Sequence, residues 1–144
     1  MSLAKNISHM LGGPDILKAR INGDADLEAA VTTGFPTAAV RALAERTRSS
    51  LSFLQDVTGL DKNTFRRRER SKSRLRAEES DRLARVARIA ALATEAMGAD
   101  DGVAWLHEPN RSLGDRIPME MLHTEIGARQ VEDVLMRIQH GVYS

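Results

Sequence analysis

The sequence predicts an all-α protein built in two parts, and three observations lead there. Apolar residues recur at helical spacing and never alternate long enough to mark a strand. Aromatics make up only 3% of the chain against 42% hydrophobic residues, so the core must be filled by Ala, Leu, Val, Ile and Met, as in helical proteins. Charge is segregated: the whole chain of 144 residues carries +1, yet between Asp61 and Arg76 eight basic residues face two acids. That local +6 leaves the remainder at −5, and such clustering is the footprint of a protein that meets a polyanion.

Taken in order, residues 1–24 read as a mostly loose arm with a helical turn at 15–20. Gly12-Gly13-Pro14 and Asn22-Gly23 stand too close together for a long helix. Asp24 caps a short helix that runs through Leu27, Ala30 and Val31 to Thr33, where Gly34 closes it. Pro36 suits the first turn of a helix over 37–46, with Ala39, Val40 and Leu43 inward. Ser50 caps the next helix, whose Leu51, Leu54, Val57 and Thr58 share one face until Gly59 ends it. Leu60 follows as a buried plug, and Asp61 caps a second short helix anchored by Phe65. Helix, glycine turn and a short helix with one apolar and one basic face make a helix-turn-helix.

The longest helix spans 77–97. Glu78, Glu79 and Asp81 sit in its first turn, where negative charge suits the helix dipole. Leu83, Val86, Ile89, Ala90, Ala93 and Met97 form its inward stripe, and Gly98 ends it. Residues 99–144 differ in tone, with eight acidic and four basic residues and the sole tryptophan, Trp105, in a short helix at 100–107. Turns follow at Pro109-Asn110 and Leu113-Gly114, and Pro118 opens a brief helix through Met119 and Leu122. A final helix after Gly127 places Val131, Val134, Leu135 and Ile138 on one face and stops at Gly141. The expected division is an arm at 1–24, a helix-turn-helix unit at 25–76, a connecting helix at 77–98 and a C-terminal unit at 99–144.

In a helix-turn-helix the second helix lies in the DNA major groove with its N-terminal residues at base edges. Lys62, Asn63, Thr64, Arg66, Arg67, Arg70, Lys72 and Arg74 are the expected DNA contacts. Asn63 can bond adenine bidentately and Arg66 or Arg67 guanine, while Lys72, Arg74 and the hydroxyls of Ser71 and Ser73 suit phosphates. Charge alone leaves open a solvated basic helix with no partner. Arg68 stands three residues from Phe65 and leans toward the core, where Glu79 or Asp81 can pair with it and clamp the basic helix to the long one.

Other chemistries find little support. Cysteine is absent, which excludes disulfides, thiolate metal sites and a cysteine nucleophile, and fits a reducing cytoplasm. No apolar run reaches the length of a membrane span, and the N-terminus lacks a signal-peptide apolar segment. His9, His107, His123 and His140 are far apart, with no pair at i+3 or i+4. Gly12-Gly13 lacks the pattern of a phosphate loop. No enzyme activity, metal, cofactor or membrane association is expected.

At these residues a resemblance enters. TFRRRERSKSRLRAEESDRLARVARI resembles the core of the Xre-type antitoxins, and GVAWLHEPNRSLGDRIPMEMLHTEIGARQVEDVLMRIQHGV resembles the toxin-binding domain of the Xre/MbcA/ParS group. The spaced matches are Trp105-Leu106, Pro109-Asn110, Leu113-Gly114, Pro118, Leu122-His123-Thr124, Gly127, Val131, Leu135 and His140-Gly141. Asp115 stands where the group usually has a second glycine. The resemblance covers residues 35–144. It implies an antitoxin of a type II toxin–antitoxin module, a homodimer that represses its own operon and binds a toxin carrying an NAD⁺-depleting RES domain. On that footing Trp105, Leu106, Leu122, Val131 and Leu135 are core. The toxin contacts are expected at Arg129, Glu132, Arg137, His140, Val142, Tyr143 and Ser144, with the tail plugging an active-site mouth. The rival reading is a stand-alone transcription regulator whose C-terminal unit dimerises or senses a ligand.

Overall fold

The computed structural model describes residues 2–141 and is helical throughout, with only two isolated β-bridges among these residues. The N-terminal segment departs from expectation. It is no loose arm but two helices, α1 (Leu3–Met10) and α2 (Gly13–Leu17). Ser2 caps α1 by accepting the Lys5 N–H, and Gly12 and Gly13, both at positive φ, turn the chain between the helices. Ala4, Ile7, Leu11 and Leu17 are buried, so the apolar residues that looked too interrupted for a helix form one stripe across the break. Burial decides here: a short helix gains its stability from tertiary packing rather than from its own length. The helical turn expected at 15–20 lies instead at Gly13–Leu17.

The next elements follow the sequence closely. Helix α3 (Asp24–Thr33) starts from Gly23 rather than from Asp24, and its Asp26 accepts the Asn22 N–H at 2.8 Å. Its Leu27, Ala30 and Val31 are only half-buried. Helix α4 (Ala38–Thr47) turns Ala39, Val40 and Leu43 inward, and α5 (Leu51–Thr58) is capped by Ser50. Gly59 ends α5 at φ 80° and Leu60 is buried, as the plug requires. Helix α6 (Lys62–Ser71) then begins from Asp61 and inserts Phe65.

What lies between α6 and the long α7 (Ala77–Met97) was not foreseen. Residues 73–75 lie antiparallel to residues 35–37: Leu75 donates to the Phe35 carbonyl at 2.8 Å, and the Thr37 hydroxyl donates to the Ser73 carbonyl. The approach is tight. A Cβ on Gly34 would stand 2.0 Å from the Leu75 carbonyl oxygen.

Helix α7 is the spine. It packs against α1, α3, α4 and α5 and against the C-terminal helices α8 (Ala99–Leu106) and α9 (Glu125–Gln139), so one continuous core joins Ile7 to Leu135. Small residues at Ala87, Ala90, Ala91 and Ala93 let the neighbours approach. The short helix opened by Pro118 is a 3₁₀ turn, Pro118–Met121. Helix α9 begins two residues before Gly127, because Thr124 caps it by accepting the Gly127 N–H at 2.9 Å. Gly127 is required there for space: a Cβ would lie 2.0 Å from the Met121 carbonyl oxygen.

Because Ile7 is buried, Ile7→Ala should lower the unfolding free energy by about 2–5 kcal/mol, measured by urea denaturation. A loose arm would give a change near zero.

Candidate nucleic-acid and partner surfaces

The basic surface is built on α6. Asp61 accepts the Thr64 N–H at 2.9 Å and the Thr64 hydroxyl at 2.8 Å, and these two bonds, the backbone one first, hold its carboxyl below the usual range. Phe65 fixes the inward face, and the Arg41 guanidinium from α4 lies 5.6 Å from its ring centroid while pairing with Glu69. With that face fixed, Asn63, Arg66, Arg67 and Arg70 stand at i, i+3, i+4 and i+7 and share the opposite side. All four are exposed, as is Lys62, and none makes a side-chain hydrogen bond or ion pair within the described residues.

Two expected contacts are engaged elsewhere, and a third stands beyond the helix. Thr64 is half-buried and spends its hydroxyl on the cap. Arg74 donates from Nη1 to the Gly34 carbonyl at 2.8 Å, fastening the loop pair. Lys72 is exposed at the left-handed C-cap of α6, φ 55°, beyond the last turn.

Arg68 resolves to one of its two possible partners. It pairs with Glu79, not Asp81, and Glu79 also accepts the Arg76 N–H at 2.8 Å. Burial alone would raise the Glu79 carboxyl, but the Arg76 N–H, the Arg68 guanidinium and the Arg76 charge together outweigh it and hold the carboxyl below its ordinary value. The neighbouring Ser80 hydroxyl accepts the Phe35 N–H at 2.9 Å. The first turn of α7 thus fixes α6 and the 35–37 loop at once.

The C-terminal surface is sorted less simply. Arg129, Arg137 and His140 are exposed on or at the end of α9. Glu132 is half-buried and paired with Arg88 of α7 at 2.8 Å, so it holds α9 to the spine. Val142, Tyr143 and Ser144 lie outside the described residues. Leu106, Leu122, Val131 and Leu135 are core, whereas Trp105 is half-buried at its edge. Sequence reasoning missed Ile126, the one large apolar side chain among the described residues left widely exposed, at 70%. Its signal was available: Ile126 falls about 140° away from Val131 around the helix, off the inward stripe.

The histidines serve as joints. His107 Nε2 meets the Thr47 carbonyl at 2.6 Å, His123 Nε2 meets Asp56 at 3.0 Å with its ring edge-on to Phe53, and His9 accepts from Arg46 at 2.8 Å. Two of these contacts tie the C-terminal unit to α4 and α5. Among the described residues no three His, Asp or Glu side chains gather in a metal-binding group.

Fold and surfaces together define a regulatory type of protein, a helix-turn-helix unit joined through a shared core to an acidic helical unit. The model of the antitoxin Xre-like helix-turn-helix domain matches residues 26–88, and that of the antitoxin Xre/MbcA/ParS C-terminal toxin-binding domain matches residues 92–141. An Antitoxin Xre from Yersinia enterocolitica is 38% identical over 61% of this chain and 61% of its own length. Proteins of the same name from Photorhabdus laumondii and Pseudomonas putida are 31% and 32% identical, each over 82% of this chain and over 81% and 74% of their own lengths. The chain belongs to the Xre family of antitoxins.

A carboxyl with a depressed folded pKa contributes stability above its unfolded pKa, and that contribution is lost as pH falls through the folded value. Glu79 therefore stabilises the fold at neutral pH and ceases to do so in acid. Thermal melting should show wild type losing stability below pH roughly 4.3, the ordinary glutamate value. Glu79→Gln should be less stable at pH 7 and should show a shallower acid decline.

Proposed function

We propose that the protein neutralises an NAD⁺-depleting, RES-domain toxin encoded beside it and represses their shared operon as a homodimer in the cytoplasm. The observation that carries this reading is the pairing, on one continuous core, of an unspent cationic helix face with a C-terminal unit that matches a toxin-binding family. The four side chains of Asn63, Arg66, Arg67 and Arg70 are free to meet bases, with Lys62 and Lys72 toward phosphates. The acidic balance of residues 99–144 suits a basic partner surface and repels DNA, so the two ligands are sorted by charge. Arg129, Arg137 and His140 are available to the toxin, while Glu132 acts through α9 placement. Binding is the whole of the activity in this reading, and the chain performs no chemistry of its own.

Two measurements test it. Co-expression with the product of the adjacent gene should restore growth and cellular NAD⁺, and the two proteins should co-purify. On its own promoter fragment, a dimer covering about eight phosphates should give a slope of log K against log salt of about −7. Arg66→Ala with Arg67→Ala should abolish the specific shift while leaving neutralisation intact. A salt slope near zero refutes operator binding, and unchanged toxicity on co-expression refutes the antitoxin role.

A further inference from the structure

The C-terminal unit has a groove of about 570 Å³ beside the first turn of α9. Its apolar lining comes from Ile126, 70% exposed, with half-buried Ile117 and buried Met121 beneath. An exposed isoleucine standing singly is ordinary, but one that lines a groove together with further apolar side chains is the composition of an anchor pocket. Two carboxylates, Asp115 and Glu120, rim the groove, and neither has an ion-pair partner among the described residues.

The walls are already set. The Arg116 guanidinium donates to the Leu113 carbonyl at 2.9 Å and to Gln130 at 3.1 Å, so it pairs with neither acid and the two carboxylates leave the rim net negative. Asn110 donates to the Arg116 carbonyl at 3.0 Å and closes the loop on itself. On the far side the backbone of Gly127 lies against Met121 so closely that no side chain fits between them. A preformed groove avoids the ordering cost that weakens flexible docking surfaces.

We propose that this groove is the principal docking point for the toxin, and that it takes an apolar side chain flanked by Arg or Lys. The inference rests on the antitoxin reading and adds to it the chemistry of the partner segment. DNA is repelled by the two carboxylates. A second copy of this chain docked groove to groove would gather two Asp115 and two Glu120 carboxylates in one interface, which like-charge repulsion opposes. The basic face of α6 does not fill the groove either, because Asn63, Arg66, Arg67 and Arg70 offer no apolar anchor.

The test uses the full chain, the co-expressed product of the adjacent gene as the probe, and two variants. Ile126→Asp should weaken the complex about 30-fold or more, as loss of a central anchor does. Asp115→Asn with Glu120→Lys should weaken it about 10-fold, mostly through slower association, and should remove much of its salt dependence. Both variants should keep the wild-type melting temperature, since the altered side chains are exposed and asparagine accepts the left-handed backbone at residue 115, φ 62°; Ile126→Asp should also keep promoter-fragment affinity. Toxin affinity unchanged in both variants overturns the groove and leaves the antitoxin reading standing. Failure of the wild-type chain itself to bind the probe overturns both. A dimeric wild type that becomes monomeric with Ile126→Asp, read by native mass, gives the groove to a second copy and overturns the proposal.

Discussion

The buried carboxylate of Glu79 holds the working parts of the molecule in register. It sits in the first turn of α7, almost wholly removed from solvent, with donors arriving from the Arg76 backbone and the Arg68 guanidinium. Removing one partner of a buried pair typically costs about 3–5 kcal/mol, because the remaining charge is stranded. The exposed pair Arg48–Asp100 belongs to a class worth about 0–1 kcal/mol. The difference in magnitude assigns the roles: surface pairs tune, while Glu79 fixes where α6 stands. One turn of helix therefore orients the cationic face, and Ser80 beside it anchors the 35–37 loop that closes the same unit.

From that turn α7 runs past both functional surfaces. Its Arg88 grips Glu132 of α9, and its Arg85 donates to the Leu122 and His123 carbonyls at the end of the Pro118–Met121 turn. His123 in turn reaches back to Asp56 of α5. The two units are thus tied both through the spine and directly, the direct ties including His107 to the Thr47 carbonyl. Opposite charge balances could be carried by separate domains on a linker; here they are carried on one continuous core.

Much of this was legible in the sequence. Local signals marked α5, Gly59, α6 and α7 because each is bounded by a residue with a single physical role, such as Ser50 as cap or Gly98 as terminator. The side on which α6 presents Asn63, Arg66, Arg67 and Arg70 followed from Phe65 alone. What failed depended on partners distant in the chain. Residues 1–24 looked unstructured because their glycines and proline are locally disruptive, and only contact with α7 reveals Ala4, Ile7 and Leu11 as a stripe. Arg74 and Glu132 looked like free surface charges because Gly34 and Arg88 are 40 and 44 residues away. Ile126 is hard to read for a different reason: it lies off the apolar face of α9, and an apolar residue there is a deviation from the pattern that marks the helix.

The unbroken core from Ile7 to Leu135 bears on how such a protein can acquire a new target. Exchanging the last forty residues between relatives would not swap an independent cassette. The incoming segment would have to match the Ala87–Ala93 surface of the recipient spine and supply a carboxylate for Arg88. A breakpoint upstream of α7 fares no better, because α7 itself packs on α1, α3, α4 and α5, so an exchange needs a donor with a matching spine. A new target is met most simply by point substitutions at exposed positions, where nothing beneath has to be rebuilt.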